Sequence, residues 1–211
     1  MTTSSPETTS SPALAALFDE SITRDRLMRG MGESLMEKGF AGTVVADIVK
    51  RARVSRRTFY EEFADRGECF LALCERTTDV ARVLIDQAAD PELCWVDQSK
   101  QAVDAYFAFM SVEPLLTRAM LFEVYALGDR GIAGHRETHH KFTEQLLELA
   151  ARARETDDTV RDISYASAAA VVGAIYQLIQ MATDEDPRVS IDEARVAATE
   201  LLLAMASAPQ G

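Results

Sequence analysis

Two guanidinium groups stand side by side at Arg56 and Arg57, directly behind the hydroxyl of Ser55 and directly before those of Thr58 and Tyr60. A planar guanidinium donates two parallel hydrogen bonds to O6 and N7 of a guanine, whereas a hydroxyl is better suited to a phosphate oxygen. The same residues on an ordinary solvated helix start would do nothing, so their meaning depends on what holds them. Phe59 and Phe63, four apart, give one face to a helix that begins behind Ser55, a residue able to cap it. Ahead of it, Val44, Val45, Ile48 and Val49 form the inner face of a short helix expected to be capped by Thr43 and to end near Arg51. Ala52-Arg53-Val54 joins the two with an inward apolar residue, the length at which two short helices make a helix-turn-helix. In such a unit the start of the second helix enters the major groove, which puts Arg56, Arg57 and Thr58 nearest the base edges. A longer helix from Ile22 to Lys38 precedes the pair, with Leu27, Met28, Met31 and Leu35 as its buried stripe and Gly39 as its stop. Amides behind the Thr43 and Ser55 caps would add anion-binding donors.

The stretch TVVADIVKRARVSRRTFYEEFADRGECFLAL, Thr43 to Leu73, resembles the DNA-binding signature of the tetracycline-repressor (TetR) family. The resemblance is carried by Thr43, Asp47-Ile48, Val54-Ser55, Thr58-Phe59-Tyr60 and Phe63, with Arg66 where that family usually has lysine. Counting the preceding helix and Gly39-Phe40, it covers about 50 residues. Two positions depart from the pattern. Arg53 stands where the turn glycine is usual, so a residue with a Cβ must take up that turn, at a modest cost if it is left-handed. Gly67 replaces the customary acidic residue, and Glu61 and Glu62 add negative charge beside the phosphates. The resemblance implies that Thr43, Tyr60 and Arg66 hold phosphates while Ser55, Arg56, Arg57 and Thr58 sit in the groove. It also implies a variable ligand pocket in the remaining body and a dimer interface made from the last two helices.

Charge supports this division weakly. The whole chain carries −12, unfavourable for binding a polyanion, but residues 21–66 carry +3 and residues 67–211 carry −12. Apolar residues fall at helical spacing almost throughout, so the body reads as helices at about 67–89, 95–110, 114–127, 134–154 and 163–182 and a last one through Met205. Asp90-Pro91, Pro114 and the loop glycines Gly128, Gly131 and Gly134 separate them, and capping boxes stand at Asp65 with Glu68 and at Ser190 with Glu193. The expectation is an all-α protein of about nine helices. Residues 1–20 form a disordered or weakly ordered tail, 21–66 an N-terminal three-helix helix-turn-helix DNA-binding domain, and 67–208 a helical ligand-binding and dimerisation domain.

Within the body, Ala166, Ala169, Ala170 and Gly173 put small residues on nearby faces of one helix, and Ala194, Ala197, Ala198 and Leu201 do so on the last. Small side chains let helices approach closely, so these residues are the candidate dimer interface, with an ordinary monomer core as the competing reading. Rings and sulfur concentrate between Trp95 and Tyr125 and recur at Phe142 and Tyr176. Tyr106, Met110, Phe122, Tyr125, His139 and Tyr176 are the candidate ligand contacts, apolar bodies with a few polar tips. His135 and His139, four apart, are a candidate metal pair. Glu137 and His140 spell half of the Glu-x-x-His motif of di-iron bundles, but the chain has no fourth histidine to complete a second half. Cys69, Cys74 and Cys94 lack metal-ligand spacing and read as reduced thiols, with redox sensing as the alternative.

No glycine-rich phosphate loop, GxSxG elbow or paired CxxC occurs, so no enzyme activity and no cofactor is expected. The uncharged run 163–182 is long enough to span a bilayer, but its Ser and Gln residues and its lack of basic anchors argue against it. The first twelve residues, eight of them Ser or Thr, lack a signal peptide's apolar run, so a cytoplasmic location is expected. The reading is a ligand-responsive, homodimeric repressor of a palindromic double-stranded operator, released by a small, partly apolar effector. An activator, or an all-α ligand-binding protein or enzyme with a degenerate DNA module, is the alternative.

Overall fold

The structure, a computed structural model, describes residues 12–206. The parts of the expected tail at 1–11 and of the body at 207–208 lie outside them. Every element is helical, and the chain divides into two compact units, one ending at Leu73 and the other beginning at Cys74.

In the first unit α1 (Pro12–Ala15), α2 (Thr23–Gly42), α3 (Val45–Ala52) and α4 (Arg56–Glu62) are followed by the start of α5 (Arg66–Ala88). Residues 12–20, expected to be loosely ordered, are not: Leu14 and Phe18 are buried, and Leu14 lies on Gly32 of α2 where any side chain would collide with it. The apolar run ALAALF within that segment is what the Ser/Thr-rich composition around it concealed. The α2 stripe is buried as its spacing predicts, and Gly39 breaks the helix with φ 65. Val44 caps α3 in an extended conformation, and its amide donates to the Asp47 carboxylate at 3.1 Å. The expected Thr43 cap is therefore displaced by one residue. Thr43 is fully buried, and its hydroxyl donates backwards to the Gly39 carbonyl at 2.7 Å, while Val44, expected inside, is 52% exposed.

The turn between α3 and α4 places Arg53 in the left-handed region, φ 54 and ψ 44, at a cost of about 1–2 kcal/mol that glycine would avoid. Ser55 then caps α4, accepting from the Thr58 amide at 3.0 Å. Phe59 and Phe63 anchor α4 from behind, as their spacing requires. At the start of α5, Asp65 accepts from the Glu68 amide at 2.9 Å, while Glu68 reaches back one residue further than a capping box does, to the Ala64 amide at 2.6 Å.

The second unit contains the rest of α5, then α6 (Trp95–Val112), α7 (Pro114–Phe122), a 3₁₀ turn (Glu123–Leu127), α8 (Asp129–Arg154), α9 (Tyr165–Thr183) and α10 (Ile191–Ala206). Two expectations change here. The helix expected at 114–127 ends at Phe122 and finishes as the 3₁₀ turn, and α8 starts at Asp129 rather than 134. Gly131, expected in a loop, lies inside α8, where an added Cβ would sit 2.0 Å from the Val124 carbonyl oxygen. It is a close-approach glycine, and of the three only Gly128, with φ 59, is a breaker by conformation. Ser164 caps α9, and Ser190 with Glu193 forms the reciprocal box that opens α10.

Candidate nucleic-acid interface and buried cavity

Most of the basic residues of the first unit are committed internally. Arg51 pairs with Glu33 and Glu37, Lys38 with Asp47 at 2.8 Å, Arg29 with Glu20 and Glu33, and Arg24 with Glu62. The pairs of Arg51 and Lys38 tie α3 to α2, and that of Arg24 ties α4 to it. Arg66 is also turned inward: its guanidinium donates to the carbonyls of Phe40 and Thr43 and lies 4.2 Å from the Phe40 ring centroid. Arg66 and Thr43, expected to hold phosphates, instead spend their side-chain donors on the carbonyls of Gly39, Phe40 and Thr43 around the end of α2, and Thr43 is buried.

Lys50, Arg53, Arg56 and Arg57 remain exposed, clustered on the end of α3, the turn and the first turn of α4. Lys50, Arg53 and Arg56 have no ion-pair partner among the described residues, whereas Arg57 reaches Glu61 at 2.9 Å yet has a side chain 89% exposed. Tyr60 is 58% exposed, its ring edge on Phe59, so its hydroxyl points away from the core. Ser55 is occupied as the cap, its oxygen also 2.9 Å from that of Thr58. Arg56, Arg57, Tyr60 and part of Thr58 are therefore available to a ligand in the outer solvent, and Lys50 and Arg53 join them. Those two were missed because a lysine late in a helix and a departure from the glycine pattern carry no sign of exposure in the sequence.

The second unit contains a cavity of about 680 Å³ counted out to the solvent, walled almost wholly by apolar side chains of α5, α6, α8, α9 and α10. Of the six expected ligand contacts, Tyr106, His139 and Tyr176 line it. Met110, Phe122 and Tyr125 do not. Met110 is buried elsewhere in the core with its carbonyl accepting from Thr117, Phe122 sits under the Arg118 guanidinium, and Tyr125 on the 3₁₀ turn is 42% exposed against His135. Gln145 and Phe142 of α8 take their place on the wall. Phe142 packs on Tyr106 at 5.2 Å. A glutamine in a charged helix defaults to the surface, which is why Gln145 gave no signal.

The His135 and His139 rings lie 4.3 Å apart, and Tyr176 is within 4.9 Å of both. No group of three His, Cys, Asp or Glu able to hold a metal converges among the described residues. His140 instead faces solvent beside Tyr165 at 3.0 Å. Burial lowers the proton affinity of His135, and burial, with His135 adding to it, pushes His139 down to about 4. Desolvation raises the thiol of buried Cys69 and pushes that of half-buried Cys74 up to about 12, which keeps both protonated at neutral pH.

A pH dependence follows. Between about pH 6.5 and 4 the unfolded chain takes up a proton on His139 that the folded chain refuses, so stability falls on acidification through that window. The melting temperature should drop from pH 7 to 5, and His139→Gln should flatten that slope, leaving the smaller share of His135. Asp47, Asp157 and Glu193, held below the usual carboxylate range by their hydrogen bonds, add their losses only below about pH 4. An identical slope in the variant would locate the proton elsewhere.

Ala166, Ala170 and Leu201 are exposed and Ala169 and Gly173 half-buried, but Ala194 and Ala198 are fully buried inside the subunit. The candidate interface is corrected at those two: they pack α10 within the chain and cannot face a second copy. An added Cβ at Gly173 would meet nothing within 4 Å. Helix α9 is long and apolar enough to cross a membrane, with a mean hydropathy of 1.3, yet only 17% of its apolar window is buried within the chain. It is an apolar face without a cover.

Residues 33–73 match the family model of the bacterial regulatory proteins of the tetR family. A curated protein, the transcriptional regulator AcuR of Cereibacter sphaeroides, is 37% identical over 70 residues, which is 33% of this chain and 32% of that protein. The chain thus aligns with only about a third of that relative's length. Among solved structures, a Rhodococcus sp. protein described as a TetR-family transcriptional regulator superposes with TM-score 0.71 at 16% identity, covering 88% of this chain and 98% of that one. Salmonella enterica GusR superposes with TM-score 0.68 at 17% identity, covering 87% and 95%. These two share the fold along nearly their whole length.

Proposed function

Since the chain belongs to the TetR family of bacterial regulatory proteins, we propose that it is a homodimeric repressor which binds a palindromic operator and leaves it when a small, largely apolar effector fills the cavity. The observation that carries this reading is the exposed cationic cluster Lys50, Arg53, Arg56 and Arg57 around a Ser55-capped helix start, in a unit whose other cations are mostly spent on ion pairs. A cation left unpaired in an acidic protein is available to phosphates and base edges.

Two copies joined through the exposed faces of α9 and α10 would carry two such helices, one for each half-site of a palindromic operator. The second link is α5. Its Arg66 closes on the carbonyls of Phe40 and Thr43, its Ile85 lines the cavity, and it is one continuous helix. An effector that favours the conformation with the lower operator affinity makes operator and effector weaken each other by the same coupling energy, about 1–3 kcal/mol.

Operator selection from random duplexes, followed by salt-dependent fluorescence anisotropy, tests the assignment. Arg56→Ala should weaken the selected site by about 1–3 kcal/mol and relax one base position, whereas Tyr60→Phe should weaken all duplexes evenly. An unchanged affinity and specificity in Arg56→Ala would remove that arginine from base readout.

A further inference from the structure

Resting on the cavity being the effector site, we propose that it admits a neutral, largely apolar molecule carrying a hydrogen-bond donor, which seats that donor on the Oε1 of Gln145, with the Nε2 of His139 as a second, separate polar contact on the same wall. Gln145 is 2% exposed, and its Nε2 donates to the Arg82 carbonyl at 2.8 Å. A carbonyl can only accept, so the amide cannot be flipped, and Oε1 is fixed as the group that faces away from α5. That oxygen is buried and has no partner, and the same holds for His139 Nε2. Both residues line the cavity.

Of the other polar groups on the wall, the Tyr106 hydroxyl is a further polar tip, whereas Thr138 and Tyr176 are engaged. Thr138 lies 3.4 Å from the Thr78 hydroxyl, whose own proton goes to the Cys74 carbonyl, and Tyr176 donates to the Leu121 carbonyl at 3.1 Å. No Lys, Arg, Asp or Glu lines the cavity, so a charged ligand would enter a low-dielectric space without a counter-ion. A carboxylate would in addition set its lone pairs against those of Gln145 Oε1. Burial keeps His139 neutral at pH 7, so it brings no compensating charge and serves as donor or acceptor according to its tautomer. Alcohols, phenols and primary amides can donate to Oε1; ethers and ketones leave it unpaired, which forfeits a buried hydrogen bond.

The test uses three probes on one skeleton, 4-phenylbutan-1-ol, its methyl ether and 4-phenylbutanoate, titrated by calorimetry into the full chain without DNA. The alcohol should bind about tenfold or more tighter than either of the others. In Gln145→Leu, and in Gln145→Met should the first misfold, the preference of alcohol over ether should collapse to within about threefold. An ether or carboxylate bound as tightly as the alcohol, a preference unchanged in both variants, or no binding of the alcohol at millimolar concentration would each overturn the proposal. Operator affinity is measured separately. An alcohol that binds with the predicted preference but leaves operator affinity unchanged sinks the inducer mechanism and leaves the ligand class standing.

Discussion

Gly30→Leu is expected to abolish operator binding while the second unit stays folded. Gly30 lies on the face of α2 that receives α3, where an added Cβ would stand 2.8 Å from the Ile48 carbonyl oxygen and 3.3 Å from both the Ala52 amide nitrogen and the Arg51 Cβ. Backbone lies on two of these three sides, so no side chain can swing away to make room; α3 itself has to move. Overpacking of this kind costs about 1–3 kcal/mol and occasionally more, a large share of the stability of a unit this small. The displacement also carries function, because the end of α3 leads through left-handed Arg53 directly into the Ser55 cap and the cationic start of α4. Recognition geometry is unforgiving of shifts near an ångström, so affinity for the selected operator should fall at least about 100-fold. Calorimetric melting should show the second unit's transition intact, and light scattering an unchanged mass. A folded Gly30→Leu protein with full operator affinity would mean that α3 and α4 do not read DNA.

The features legible in the sequence are those set by local chemistry. Ser55, the Ser190 and Glu193 box and the Phe59 and Phe63 pair act within one helical turn, so their spacing alone determines what they do. Thr43 shows the limit. A threonine before a helix can cap forwards or donate backwards, and the choice fell to Asp47, whose carboxylate takes the first free amide and leaves Thr43 to be buried. Packing between distant elements is less legible. Phe122 and Tyr125 were attractive because rings are dense around them, yet α7 and the 3₁₀ turn direct them away from the cavity, while Gln145 enters it from a helix full of charges. Small residues are ambiguous for the same reason. Ala194 and Ala198 serve an approach within the chain, and Ala166, Ala170 and Gly173 leave one open, although their spacing is of the same kind.

That open face carries the second large effect. Gly173→Glu should convert the protein to monomers and, with them, remove tight operator binding. With nothing within 4 Å of an added Cβ, a single subunit accommodates the new side chain without strain, so a loss of dimer cannot be ascribed to a damaged fold. An isologous interface places the same residue of both copies near one axis, where two carboxylates leaving water together repel and each loses its hydration. The stripe Ala166, Ala170 and Gly173 has no longer side chain to hold the helices apart and give those charges room. The dimer dissociation constant should rise at least about 100-fold, equivalent to about 2.7 kcal/mol. Gly173→Lys should do the same alone, but the Glu and Lys variants mixed in equal amounts should recover a heterodimer, because opposite charges at the axis attract. Light scattering on each variant and on the mixture reads all three outcomes. An intact Gly173→Glu dimer, or a mixture that stays monomeric when both parents are folded, would move the interface off α9.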